Sequence, residues 1–333
     1  MSIPPTNYDP PFRVTRASHV VLTVKDLGAS RAFYADALGL VATEQTNDTL
    51  YLRGVEEAAH HSMVLKKTSD TPACERIGMR VLTEDDLDRA KTYFDKAGLP
   101  AAWAEVPHQG RTLHVSDPVG TPLELCATMT TVPRLTVQFD QFKSGSPQRL
   151  DHFQILAPEV QRAADFYTGI GFRLSEFVAP EGSDELLFVF LQRKGNPHDI
   201  VFANGMGPRY HHVAFCCSEV SRIIYACDVA GTLGFGRNIE HGPGRHGPGH
   251  AFFVYFRDPD NHRIELFNTH YQVMDIENQP VRWDATYTGR RAWGLPPRRQ
   301  WHFDGSLFAG VACREPARKP DPFTLEKFLS VAG

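Results

Sequence analysis

Three residues in the second half of this chain, His152, His212 and Glu265, offer two imidazoles and one carboxylate. That donor set can hold a divalent metal and leave coordination positions open; it suits non-haem Fe(II) first and Mn(II) next, and Zn(II) is chemically possible as well. Each residue sits in a short apolar run: "RLDHFQI", "RYHHVAF" and "HRIEL". Such runs read as strands, in which neighbours point to opposite faces, so the phase of each strand decides which side chains can share a site.

An internal repeat sets that phase. "SHVVLTVKDLGASRAFYADALGL" (18–40) and "DHFQILAPEVQRAADFYTGIGFRL" (151–174) share one order: histidine, alternating apolar residues, a polar break, a helix-period segment, Phe-Tyr and glycine. Each reads as a strand followed by an amphipathic helix that stops at Gly39 or Gly171. The ends of the halves match too: "DPVGTPLEL" (117–125) and "DPDNHRIEL" (258–266) each put a turn before a strand, with Glu124 and Glu265 at the same offset. A second strand-helix start lies inside each half, in "RIGMRVLTEDDLDRAKTYFDKAGL" and "HHVAFCCSEVSRIIYACDVAGTLGF". The expectation is an α+β protein of four βαβββ modules, paired into two domains whose curved mixed sheets each surround a cavity. The expected divisions are an arm (1–13), a first domain (14–130), a linker (131–149), a second domain (150–271) and a C-terminal tail (272–333).

In both strand starts the histidine is followed by apolar residues at the first and third positions: His19 by Val20 and Leu22, His152 by Phe153 and Ile155. Applied to "HHVAF", the rule selects His212 for the cavity and puts His211 on the other face. The same parity separates His262 from Glu265. The first half keeps His19 and Glu124 but has no histidine to match His212; Arg76 is the expected occupant, and a cation there opposes a metal. The first domain therefore reads as degenerate.

Composition narrows the partners. The chain has 333 residues, is 42% hydrophobic and carries a formal charge of −4, with 15 histidines and six cysteines that show no CxxC spacing. Nothing here supplies a basic surplus for nucleic acid or an apolar run long enough for a bilayer, and the cysteine usage reads as a reduced, cytoplasmic protein. "GPGRHG" (242–247) fits GxGxxG formally, but it precedes a strand and has proline second, so it reads as a pocket loop and not as a dinucleotide site.

The motifs "RLDHFQI", "GPRYHHVAF", "GPGRHG" with "FFVYFRDPDNHRIELF", and "GRRAWG" resemble the vicinal oxygen chelate superfamily, and within it the type I extradiol ring-cleaving dioxygenases, closest to the homoprotocatechuate 2,3-dioxygenases. The resemblance runs from about Val14 to His302. It implies an extradiol dioxygenase that opens a substituted catechol, such as 3,4-dihydroxyphenylacetate, with O2 beside the hydroxyl pair to give a muconic semialdehyde. It implies Fe(II) or Mn(II) on His152, His212 and Glu265, activity in the second domain alone, and a homotetramer. His198 matches the family's acid-base histidine, Tyr255 its substrate-bonding tyrosine and His246 a pocket histidine, while Arg290 and Arg291 match an arginine pair near a substrate carboxylate. Two positions depart: Gln154 stands where asparagine is usual, and His241 where arginine is frequent, and both belong to the expected substrate site. A 2-oxoacid-dependent oxygenase of the 4-hydroxyphenylpyruvate dioxygenase kind, and a non-catalytic aromatic-binding protein on the same modules, are the competing readings.

Overall fold

The computed structural model describes residues 3–285, 291–316 and 318–319. The first module runs β1 (Val14–Val24), α1 (Leu27–Arg31, prolonged by a π-helical turn over Ala32–Ala37), β2 (Val41–Gln45), β3 (Thr49–Arg53) and β4 (Met63–Lys67). The second runs β5 (Cys74–Val81), α2 (Glu84–Lys96), β6 (Ala101–Ala104), β7 (Thr112–Ser116) and β8 (Pro122–Cys126). The third comprises β9 (Arg149–Ala157), α3 (Val160–Gly169), β10 (Arg173–Ala179), β11 (Phe188–Gln192) and β12 (Ile200–Asn204). The fourth comprises β13 (Arg209–Cys216), α4 (Val220–Thr232), β14 (Ile239–His246), β15 (Phe252–Arg257) and β16 (Arg263–Asn268).

The modules pair into two mixed sheets of the same topology. The first has the order β2-β3-β4-β1-β5-β8-β7-β6, and the second contains β10-β11-β12-β9-β13-β16-β15-β14. In each, the first strands of two modules pair antiparallel at the centre, β1 with β5 and β9 with β13. The described tail strands extend the second sheet: β17 (Val281–Asp284) pairs with β10, β18 (Arg291–Gly294) with β14, and β19 (Ser306–Leu307) with β13, while Phe308 makes a single bridge to Cys74 of β5. These tail strands are short and carry no clear alternation, which is why periodicity does not announce them. "GPGRHG" corrects the loop reading: all but its last glycine lies in β14, whose pairing with β15 is broken by register shifts around Gly242 and Pro243.

Local chemistry explains the element boundaries. Thr83 and Asp86 form a reciprocal capping box at the start of α2, worth roughly 1 kcal/mol. Gly39 and Gly171 end their helical segments at φ +89° and +92°, a backbone region that side chains oppose.

The two repeated signals, Phe-Tyr and Asp-Pro, lock one half to the other. Tyr34 of the first half donates its hydroxyl to Asp258 of the second at 3.0 Å, and Tyr167 of the second donates to Asp117 of the first at 3.1 Å. Each aspartate also accepts backbone N–H groups of its own turn: Asp117 from Val119 and Thr121, Asp258 from Asp260 and His262. Buried polar groups need such partners, so the reciprocal latch fixes both turns and the domain junction together.

Candidate metal centre

His152 on β9, His212 on β13 and Glu265 on β16 come from three neighbouring strands at the middle of the second sheet. The register sets Ala214 opposite His152 and beside Glu265, so His212 stands two residues from the same level. All three are buried, at 4%, 2% and 2% exposure. His152 Nε2 lies 3.3 Å, and His212 Nε2 3.2 Å, from Glu265 Oε2. Burial alone would raise the Glu265 carboxyl, but its contacts with His152, His212 and His246 hold it well below the usual range, so it is an anion.

Hydrogen bonds behind the site fix which nitrogens face it. The Trp301 carbonyl lies 3.0 Å from His211 Nε2 and can only accept, so His211 carries its proton there. Burial, reinforced by the Arg263 charge, pushes His211 well below its ordinary value and keeps it neutral, leaving Nδ1 as an acceptor. His211 Nδ1 is 2.7 Å from His212 Nδ1, which therefore donates, and the lone pair of His212 is left on Nε2. That Nε2 is buried and has no hydrogen-bond partner. His152 Nδ1 likewise donates to Asp151 Oδ2 at 2.9 Å, turning its Nε2 lone pair inward. Two inward lone pairs, an anionic carboxylate and an orphaned buried nitrogen fit a divalent cation.

The His211 contact corrects the expectation that the two histidines point apart. The β13–β9 register shifts between Tyr210 and His212, so His211 is the extra residue of a bulge and the alternation fails at that point. His262 does face away: it lies 2.7 Å from Ser306 Oγ and 2.9 Å from the Thr23 carbonyl.

The pocket around this centre is lined by His152, Gln154, His198, His212, His241, His246, Tyr255 and Glu265. Its walls add Val178, Phe188, Phe190 and Val201, and the tail supplies Pro297, Trp301 and His302. His198 meets the edge of His152 at 4.2 Å between ring centroids, and its Nδ1 is buried without a hydrogen-bond partner. Burial, with the neighbouring His152 and His270, pushes His198 well below its ordinary value. His246 Nε2 is 3.0 Å from the Tyr255 hydroxyl. Arg290 and the side chain of Arg291 lie outside the described residues, but the backbone of β18 pairs Arg291 with His246 at the pocket edge. Sequence reasoning missed His270, which lines the pocket and lies 3.4 Å from Asp151, and Trp301. No repeat position marks His270, which follows the last module strand.

The first sheet holds the register equivalents. His19 and Glu124 match His152 and Glu265, and Arg76, opposite Val21, takes the place of His212 opposite Gln154. His61 corresponds to His198 and His114 to Tyr255. Here the carboxylate is consumed by protein: Glu124 lies 2.7 Å from each of His19, Gln109 and His114. Gly78 replaces Ala214, and a Cβ on it would stand 2.1 Å from the His19 ring, so this glycine lets His19 fold across the strand.

A second group, Glu44, His60 and His108, also brings three donor atoms together. Its imidazoles are stacked 3.7 Å apart and inclined by 7°, whereas those of His152 and His212 are inclined by 78°. A metal binds in the plane of each imidazole at about 2.0–2.1 Å, and near-parallel planes provide no common point, so this group suits a metal less well than the one at Glu265.

Paired βαβββ modules with a buried two-histidine, one-carboxylate set in the second sheet define a vicinal oxygen chelate fold. The chain belongs to the Glyoxalase/Bleomycin resistance protein/Dioxygenase superfamily, whose family model matches residues 16–125 and 149–266. It is similar to the homoprotocatechuate 2,3-dioxygenase of Brevibacterium fuscum, solved as an anaerobic complex with 3,4-dihydroxyphenylacetate: 36% identity, TM-score 0.87, 93% of this chain and 99% of that one. The Arthrobacter globiformis homoprotocatechuate 2,3-dioxygenase gives 34% identity and a TM-score of 0.88, covering 94% of this chain and 99% of that one. By sequence, a manganese-dependent 2,3-dihydroxybiphenyl 1,2-dioxygenase of Geobacillus genomosp. 3 is 25% identical over 81% of this chain and 90% of its own. A metapyrocatechase of Pseudomonas sp. strain CF600 is 28% identical over 83% of this chain and 93% of its own.

Proposed function

We propose that this protein is an extradiol dioxygenase that opens a substituted catechol ring with O2, using Fe(II) or Mn(II) held by His152, His212 and Glu265. The observation that carries the reading is the buried, partnerless Nε2 of His212 beside an anionic Glu265, inside a pocket with an aromatic and aliphatic wall. The similar solved enzymes act on 3,4-dihydroxyphenylacetate, which makes it the first substrate to try.

When bound, the metal supplies Lewis acidity toward the two catechol oxygens and a path for electrons between ring and O2. The protein supplies the rest. His198, neutral and with a free buried ring nitrogen, accepts a phenolic proton and returns it to the oxygen as the ring opens. Tyr255, braced by His246, donates a hydrogen bond to a substrate oxygen. Gln154 and His241 orient the substrate, and Val178, Phe188, Phe190 and Val201 hold the ring and exclude water. Arg290 and Arg291 take a substrate carboxylate in two-point fashion, a role supported by the pairing of β18 alongside His246. In this reading 150–271 is the catalytic domain and 14–130 a scaffold without metal, 131–149 links them, 1–13 is an arm, and 272–333 completes the pocket. A cytoplasmic homotetramer is part of the same proposal and rests on the resemblance; among the described residues no helix is long and apolar enough to cross a membrane.

The test is anaerobic loading with Fe(II) or Mn(II), followed by oxygen uptake with 3,4-dihydroxyphenylacetate, catechol and 3- and 4-alkylcatechols. Stoichiometric oxygen use with a yellow product is expected. No oxygen use with any catechol, despite bound metal, overturns the proposal in favour of a 2-oxoacid-dependent oxygenase or a binding protein.

A further inference from the structure

A second cavity lies where the central strands of the two sheets meet. Arg16 of β1, Arg80 of β5, Arg134 of the linker, Arg149 of β9 and Lys194 line it, with only Glu56 and Glu57 as carboxylates. Glu56 is taken by Arg149 at 2.7 Å. Glu57 is buried and accepts from the Gly54 and Leu150 amides and the Ser62 hydroxyl. Lys194 is held by Asp199 at 2.9 Å and by Asp151.

Three guanidinium groups remain. Arg16 donates to the Ala17 carbonyl and Arg80 to the Cys126 sulfur, and among the described residues the side chain of Arg134 makes no hydrogen bond or ion pair. Among the described residues none of the three has a carboxylate within ion-pair distance, although a guanidinium carries five donors in a planar fork matched to carboxylate and phosphate. Arg16 and Arg80 are close enough to repel: burial lowers Arg16 from its ordinary value, and the Arg80 charge lowers it further against the pull of Glu57. Like charges gathered in a concave, partly desolvated cleft concentrate an anion.

We propose that this junctional cleft is a binding site for a small oxyanion, a carboxylate or a phosphate, held by Arg16, Arg80 and Arg134. The site is separate from the metal centre; Lys194, which contacts Asp151 behind His152, is the element common to both surroundings.

The experiment measures binding to the metal-loaded full chain by calorimetry and thermal melting, with sodium phosphate, sodium malonate or sodium chloride at constant ionic strength. Wild type is expected to show saturable binding and a raised melting temperature with phosphate, malonate or both; phosphate alone identifies a phosphate site and malonate alone a carboxylate site. Arg80→Gln and Arg134→Ala are expected to weaken that binding at least tenfold with unchanged circular dichroism. Arg134 is exposed, so its variant keeps the test open if Arg80→Gln fails to fold. The proposal is overturned if chloride raises the melting temperature equally, or if both variants bind as wild type does. It is also overturned if binding persists in Arg134→Ala but disappears in His212→Ala, which would locate the anion at the metal.

Discussion

His211 and His212, consecutive on one strand, are hydrogen-bonded to each other through their Nδ1 atoms at 2.7 Å. The Trp301 carbonyl sets the tautomer of His211, and His211 sets that of His212. Replacing His211 with phenylalanine removes the acceptor and leaves the His212 ring free to choose the wrong tautomer. The variant is expected to bind Fe(II) or Mn(II) about 10–100-fold more weakly, as losses behind a metal ligand generally do. Metal titration of the folded variant checks this, and wild-type affinity would show that His211 is only a packing residue.

Arg263 supports the same chain of contacts from below. It is buried, forms a two-point pair with Glu240 at 2.7 and 3.0 Å, donates to the His211 and Asp304 carbonyls, and lies 4.0 Å over the Trp301 ring. Arg263→Met leaves Glu240 to Arg257 alone, at 3.0 Å, strips two carbonyls of their donor, and is expected to destabilise the fold by about 2–3 kcal/mol. Denaturant unfolding measures it; a loss under about 1 kcal/mol would mean water replaces the guanidinium cheaply.

His198 lines the pocket and is not one of the three proposed metal donors, although its ring nitrogen also lies close to those of His152 and His270. His198→Asn is therefore expected to retain metal at wild-type stoichiometry while turnover falls by ~10²–10⁴. Metal analysis beside steady-state rates separates the two effects, and loss of metal would recast His198 as part of the cation's support.

The first domain makes a pH prediction. Burial, followed by the charges of His19 and His60, pushes His61 down to about 2. The unfolded chain takes up this proton near pH 6.5 and the folded chain does not, so stability is full above 6.5 and falls as pH drops toward 2. At pH 5 the loss from this one group is about 2 kcal/mol. Asp117, pushed up to about 6 by burial, works in the opposite sense below pH 6, so the comparison must be between proteins at each pH. His61→Gln is expected to lose about 2 kcal/mol less than wild type between pH 7 and pH 5. Equal slopes in chemical unfolding across that range would contradict a buried neutral His61.

What could be read from the chain follows from what is local. The repeat placed His152, His212 and Glu265 on three strands because alternation and offset are properties of short segments, and Arg76 takes the His212 register through the same regularity. The bulge at His211 was not legible, since an extra residue on one strand is defined only against its partner. Trp301 and His270 were missed for a related reason: they follow the last repeated strand and reach the pocket through tertiary packing. The Phe-Tyr and Asp-Pro signals were visible, but their purpose as crossed latches between halves needed both halves in place.

The central claim is that this centre inserts both atoms of O2 into a catechol. The direct measurement is mass spectrometry of the product formed from 3,4-dihydroxyphenylacetate by the Fe(II)- or Mn(II)-loaded protein under ¹⁸O2, trapped before the product exchanges oxygen with water. The account predicts a ring-opened product carrying both labelled atoms, and none from Glu265→Gln. Release of carbon dioxide from a 2-oxoacid with the catechol left intact, or equal turnover in Glu265→Gln, would contradict it.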